Sequence, residues 1–173
     1  MRLAPCAALV LLAGCGAGQP FGPPKACTLI GCEDQFTATL AQADGALPSG
    51  PQTLTVAVDG ATATCSFTLP LASGAGFVDC PNGLQLLVRQ AENCATTMNA
   101  QTATLTCTPV PGQFSEELTI VGKPATVHVT QTSNGATLVD AAVTPSYQKS
   151  QPNGAGCDPI CSQASESLVL APK

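Results

Sequence analysis

Tryptophan is absent from this chain of 173 residues, and tyrosine and histidine occur once each, as Tyr147 and His128. An aromatic sugar-stacking platform is therefore poorly supported, and an imidazole-rich metal site is ruled out. A serine-histidine-acid relay would have to use His128 alone. Basic residues are also scarce: six Lys and Arg stand against eleven Asp and Glu, for a net charge of −5. Phosphate backbones demand a clustered basic footprint, and no cluster exists, so nucleic acid is not a partner. Missing too are Cys-x-x-Cys, Gly-x-Ser-x-Gly and a Gly-rich loop followed by Lys. These absences argue against thioredoxin-like redox chemistry, a nucleophile elbow and a nucleotide-phosphate cradle.

What is present begins at the amino terminus. Met1-Arg2 is followed by an uncharged run through Leu12 and by small residues before Cys15. A positive start, a short apolar core and small residues at a cleavage point make an export leader, and the core is too short to span a bilayer as a helix. Leu12-Ala13-Gly14-Cys15 resembles the lipobox of bacterial lipoproteins. That resemblance implies removal of residues 1–14, a diacylglyceride on the Cys15 thiol and an acyl group, such as palmitate, on the new amino terminus. Several acyl chains, each contributing ~0.8 kcal/mol per buried CH₂, hold far more firmly than one. Loss of Arg2 takes the mature charge to −6. Residues 15–26 are dense in Gly and Pro and form a flexible tether; residues 27–173 make a single domain.

Ten Cys occur; with Cys6 in the leader and Cys15 lipidated, eight remain. An even number in an exported domain poor in aromatics is the arithmetic of a disulfide framework, although eight Cys permit about 105 connectivities. Zinc is the rival for Cys27-x4-Cys32 and Cys157-x3-Cys161, disfavoured because export meets oxidant before it meets a thiolate-preserving compartment. Short closures lead to Cys65 with Cys80 and Cys94 with Cys107. For the other four, tight-turn residues Gly31, Asp158 and Pro159 favour local closure, Cys27 with Cys32 and Cys157 with Cys161, against the alternative of cross-linking the chain ends.

From Cys27 onward the hydrophobic period is two. Phe36, Ala38 and Leu40 alternate with Gln35, Thr37 and Thr39; Leu54, Val56 and Val58 repeat the pattern. Asp59-Gly60 supplies the positive-φ turn of a tight hairpin, whose return strand sets Ala63, Cys65, Phe67 and Leu69 inward. Further strands are predicted at 84–89, 103–108, 117–121, 126–132, 137–143 and 168–170. Cys107 is expected to face inward with Ala103 and Leu105. Residues 91–100 read as loop or one helical turn. Short β-rich runs divided by turn signals at this spacing predict an all-β fold, a single antiparallel β-sandwich of Ig-like or transthyretin-like type.

Candidate chemistry is thin. Alternation sets His128 with Thr126, Thr130 and Thr132 on a polar face. Glu33-Asp34 and Glu116-Glu117 are adjacent carboxylates that strand geometry points apart, and both pairs read as solvated strand edges. The stretch from Pro145 to Ser165, rich in chain breakers, reads as a long loop pinned by Cys157 and Cys161, with Tyr147 packed at a sandwich corner. No catalytic residue, metal ligand or cofactor is assigned.

Together the lipobox, the tether, the Cys32-Glu33-Asp34 opening, the strand from Gly122-Lys123-Pro124 to Val129 and the closing Tyr147…Pro152-Asn153-Gly154…Cys157-x-Pro159-x-Cys161 resemble a group of myxobacterial envelope lipoproteins. A fainter likeness, through Val127-x-Val129…Asn134-Gly135-x-x-Leu138, is to transthyretin-type and carboxypeptidase-regulatory-type β-domains. The resemblance implies a β-sandwich held in the cell envelope and carries no activity. Gly16 after the lipidated Cys implies the outer membrane, by analogy with bacteria in which Asp there retains lipoproteins at the inner one. The function expected is a non-enzymatic structural or protein-binding module. Its rivals are a ligand- or polypeptide-binding module using Pro145 to Ser165, and an enzyme without a recognisable motif.

Overall fold

The computed structural model describes residues 27–43, 47–98 and 102–171. The expected signal peptide, Cys15 and the tether lie outside the described residues. Among the described residues ten strands follow in chain order: β1 (Gln35–Gln42), β2 (Gly50–Val58), β3 (Ala61–Leu69), β4 (Gly76–Asp79), β5 (Gln85–Met98), β6 (Ala103–Val121), β7 (Val127–Ser133), β8 (Ala136–Val143), β9 (Gln148–Ser150) and β10 (Cys161–Leu170). They form a six-stranded sheet, β4-β5-β6-β1-β10-β9, and a four-stranded sheet, β3-β2-β7-β8. The all-β sandwich expected from the sequence is thus the fold.

Alternation explains the packing. Phe36, Ala38 and Leu40 of β1, Leu86 and Val88 of β5, and Leu118 and Ile120 of β6 are buried from the larger sheet. Leu54, Val56, Cys65, Leu69, Val127 and Val129 meet them from the smaller one. Burying each large apolar side chain contributes roughly 1.5–3 kcal/mol. Asp59-Gly60 makes the expected β2–β3 turn, with Asp59 at φ 48° and Gly60 at φ 89°. Asp59 also accepts the backbone N–H of Ala125 (2.9 Å) and Thr126 (2.8 Å), tying that turn to the entry of β7.

Several sequence expectations are corrected. Residues 91–98 are neither loop nor helix but the distal half of β5, and the strands expected at 103–108 and 117–121 are one continuous β6. Between those two stretches Pro111-Gly112 makes no chain reversal but a bulge: beyond Gln90↔Phe114 the register resumes at Glu92↔Pro109, so Val110 to Gln113 face Ala91 alone. Gly112 adopts φ 73° there, which an L side chain resists. Cys107 does not face the core. Ala103 and Leu105 beside it are exposed, because the alternation there belongs to a hairpin with no second layer beneath it among the described residues. The stretch from Pro145 to Ser165 is not all loop, since it contains β9 and the first half of β10.

The sheets are largely antiparallel, but β1 pairs with β10 in parallel, Gln35↔Gln163 through Gln42↔Leu170. That pairing overturns two of the four expected disulfides. Parallel strands start at the same end of a sheet, so the leads into β1 and β10 run side by side. Cys27 joins Cys157 and Cys32 joins Cys161, with Cα separations of 5.8 and 6.0 Å; neither local closure forms. Cys65–Cys80 and Cys94–Cys107 pair as expected. Between the two long staples Asn153 acts as a hub. Its carboxamide accepts from Thr28 Oγ1 (2.6 Å) and the Ile30 N–H (2.9 Å) and donates to the carbonyls of Ile30 and Asp158.

Candidate functional site

The most distinctive surface is built by the far halves of β5 and β6. Past the bulge, every residue of β5 from Ala91 to Met98 is exposed, and on β6 from Ala103 to Pro109 only Cys107 is half-buried. Among the described residues the two strands pair only with each other there, because β4 stops opposite Val88 and β1 stops opposite Glu116. The product is a two-stranded arm whose paired part, Glu92↔Pro109 to Met98↔Ala103, reaches about 20 Å beyond the sandwich at ~3.3 Å per residue. A two-stranded hairpin is marginal by itself in water. Cys94–Cys107 staples this one directly across, at a Cα separation of 4.0 Å. Gln90 Nε2 donates to the Val110 carbonyl at 3.2 Å and anchors the base. Met98 is 80 % and Leu105 64 % exposed near the tip. From Ala91 to Pro111 the sequence holds one charge, Glu92. Edges in natural proteins are usually blunted by charge or Pro, and long unblunted ones pair with other chains.

A second feature lies in the core. Glu116 is fully buried, contrary to the expectation of a solvated edge; Glu117 alone follows it. The reason was legible in the file Phe114-x-Glu116-x-Leu118-x-Ile120, which sets Glu116 among the inward apolar residues. Gln131 Nε2, from the opposite sheet, donates to Glu116 Oε1 at 2.8 Å. Glu116 Oε2 and Gln131 Oε1 have no hydrogen-bond partner among the described residues. Desolvation by burial pushes the carboxyl up to about 7, the Gln131 hydrogen bond pulling weakly the other way. Gln52, also buried, donates to Ser133 Oγ (2.8 Å) and to the Pro48 carbonyl (2.8 Å).

Third is an open cleft of about 440 Å³ on the outer face of the larger sheet. The register sets Gln35, Gln163 and Gln148 in a row across β1, β10 and β9. Thr37, Ser146 and Ser165 complete an uncharged lining of carboxamides and hydroxyls. Of the stretch from Pro145 to Ser165, Ser146, Gln148, Gln163, Ala164 and Ser165 line this cleft, while Cys157 and Cys161 serve the long staples.

The remaining residues singled out from sequence are structural. His128 is half-exposed on the polar face, with Nε2 2.8 Å from Asp140 Oδ1. Thr130 Oγ1 donates to the same carboxylate oxygen at 3.3 Å. Tyr147 packs against the core edge and donates from its hydroxyl to the Pro124 carbonyl at 3.0 Å, as a corner aromatic should. Partial burial, and then the charges of Asp59 and Asp34, hold that hydroxyl above its usual range. Asp34 is half-buried, accepting the Ser162 N–H at 2.6 Å, whereas Glu33 is exposed. Glu92 lies close to the sulfurs of Cys94 and Cys107, but those sulfurs are bonded to each other and are not thiolate ligands.

No family model, curated protein or solved structure matches the chain. What the fold and surface define is a class: a disulfide-stapled β-sandwich carrying a protruding β-arm.

Proposed function

We propose that this protein is an exported, lipid-anchored envelope module, non-enzymatic, that works by docking another protein through the β5–β6 arm. The arm carries the reading. A neutral, disulfide-stiffened hairpin that stands clear of the core offers backbone edges and apolar tips at low ordering cost, because the staple has already restricted it. Four disulfides fit an oxidising compartment, and the lipobox resemblance supplies the anchor at Cys15 and an outer-membrane location. The test is chemical cross-linking in native membranes, comparing the full chain with a variant in which residues 91–111 are replaced by a short turn. Cross-linked species that vanish in the variant, with an unchanged melt, support the docking role; identical cross-linking patterns refute it.

The cleft favours a second reading, a binding module for an uncharged polar ligand. Its carboxamides and hydroxyls have no hydrogen-bond partner among the described residues and offer both donors and acceptors. Titration calorimetry with neutral oligosaccharides separates this from the first reading, since arm removal leaves the cleft intact.

A further inference from the structure

We infer that the occupant of the arm is a second copy of this chain, paired antiparallel along the β5 edge in one register. The inference rests on the docking role of the arm. Cys94 and Cys107 oppose each other at a Cα separation of 4.0 Å, the short spacing of a non-hydrogen-bonded pair. The parity of the ladder follows. Glu92↔Pro109, Thr96↔Leu105 and Met98↔Ala103 are non-hydrogen-bonded pairs too, so their backbone N–H and C=O groups point outward to the free edges.

The two edges are not equivalent. On β6 an outward position is held by Pro109, which has no N–H, and the bulge at Pro111-Gly112 follows; that edge is blunted. On β5 the outward groups of Glu92, Cys94, Thr96 and Met98 form an unbroken row with no proline.

That row is self-complementary. Two copies related by a twofold axis through Ala95 align Glu92 with the other copy's Met98 and Cys94 with its Thr96, and the reverse. Every outward residue then meets another outward residue, each pair exchanging two backbone hydrogen bonds. Residues on the opposite face fall between them as non-hydrogen-bonded pairs, with Ala95 facing Ala95 on the axis, where its small side chain permits close approach. Glu92, the one charge on the arm, lies opposite a methionine rather than the other Glu92. Two mature chains, each of net charge −6 once Arg2 is removed, thus meet along the stretch where repulsion is least.

The full lipidated chain in density-matched detergent, examined by sedimentation equilibrium, is expected to be dimeric. Ala95→Lys, which sets like charges on the axis, and Thr96→Pro, which deletes an outward N–H without touching the β5–β6 ladder, should each weaken the dimer at least tenfold while leaving the far-ultraviolet circular dichroism of the folded domain unchanged. In native membranes under mild oxidation, Ala95→Cys should give a covalent dimer on a non-reducing gel and Thr97→Cys should not, since only position 95 faces itself. A monomeric wild type overturns the inference, as does a dimer insensitive to both variants or equal cross-linking at 95 and 97. Arm-dependent cross-links to a different chain, without a homodimer, would defeat the second copy and leave the docking role standing; loss of every arm-dependent cross-link would defeat both.

Discussion

Replacing Glu116 by Gln isolates one buried ionisation. In the native protein the carboxyl titrates near 7 because burial strips its charge of solvent; in the unfolded chain it returns to its ordinary value of 4.5. Below pH 4.5 both states are protonated, and the native state has its full advantage. Between about pH 4.5 and 7 the unfolded chain gives up the proton while the native one keeps it, so stability falls as pH rises and levels off above the native value. A shift of this size, at 1.36 kcal/mol per pK unit, makes that loss about 3 kcal/mol. Gln keeps the shape and the acceptor for Gln131 Nε2 and cannot ionise. Glu116→Gln should therefore match the wild type within about 1 kcal/mol at pH 4.5 and exceed it by about 3 kcal/mol at pH 8, roughly 10 °C in Tm for a domain of this size. Scanning calorimetry of both proteins from pH 4.5 to 8 reads this as a difference curve, in which every other titrating group cancels. A flat difference, or a variant that loses ground as pH rises, would refute the assignment of a neutral buried acid.

Intact mass of membrane-extracted protein should show loss of Met1 to Gly14 and gain of acyl mass at Cys15; retention of residues 1–14 counts against the lipobox. Replacing His128 by Ala should cost under about 1 kcal/mol in a urea melt, since its contact with Asp140 is half-exposed. A larger loss would mean that the pair is held more tightly than its surface position allows. Non-reducing peptide mapping should recover Cys27–Cys157 and Cys32–Cys161. With either long staple intact, the other closes only about ten residues, so removing one should cost about 3 kcal/mol, whereas removing both also releases the long loop, worth about 5 kcal/mol more in the chain-entropy model. Equal losses for the single and double removals would show that the staples do not share one loop.

Local order was written into the residues. Period-two alternation located β1, β2, β3, β7 and β8, because one face of each packs on the core and the other meets water, and Asp59-Gly60 announced its hairpin through the positive φ it requires. Two disulfides were legible for the same reason: Cys65–Cys80 and Cys94–Cys107 close short segments whose geometry neighbouring residues dictate. The burial of Glu116 was also readable, from its place in an apolar file, once adjacent acids were weighed separately. Other features needed the assembled sheets. A bulge and a chain reversal carry the same Pro-Gly signal, and only the resumption of pairing at Glu92↔Pro109 distinguishes a bent strand from two strands. The exposure of the arm depended on where β4 and β1 stop, which nothing in residues 91–111 encodes. Parallel pairing of β1 with β10 joins segments nearly the whole domain apart, and it alone decided that Cys27 and Cys32 meet Cys157 and Cys161: spacing along a chain constrains partners only at short range, while the ends of a sheet bring together whatever strands begin there.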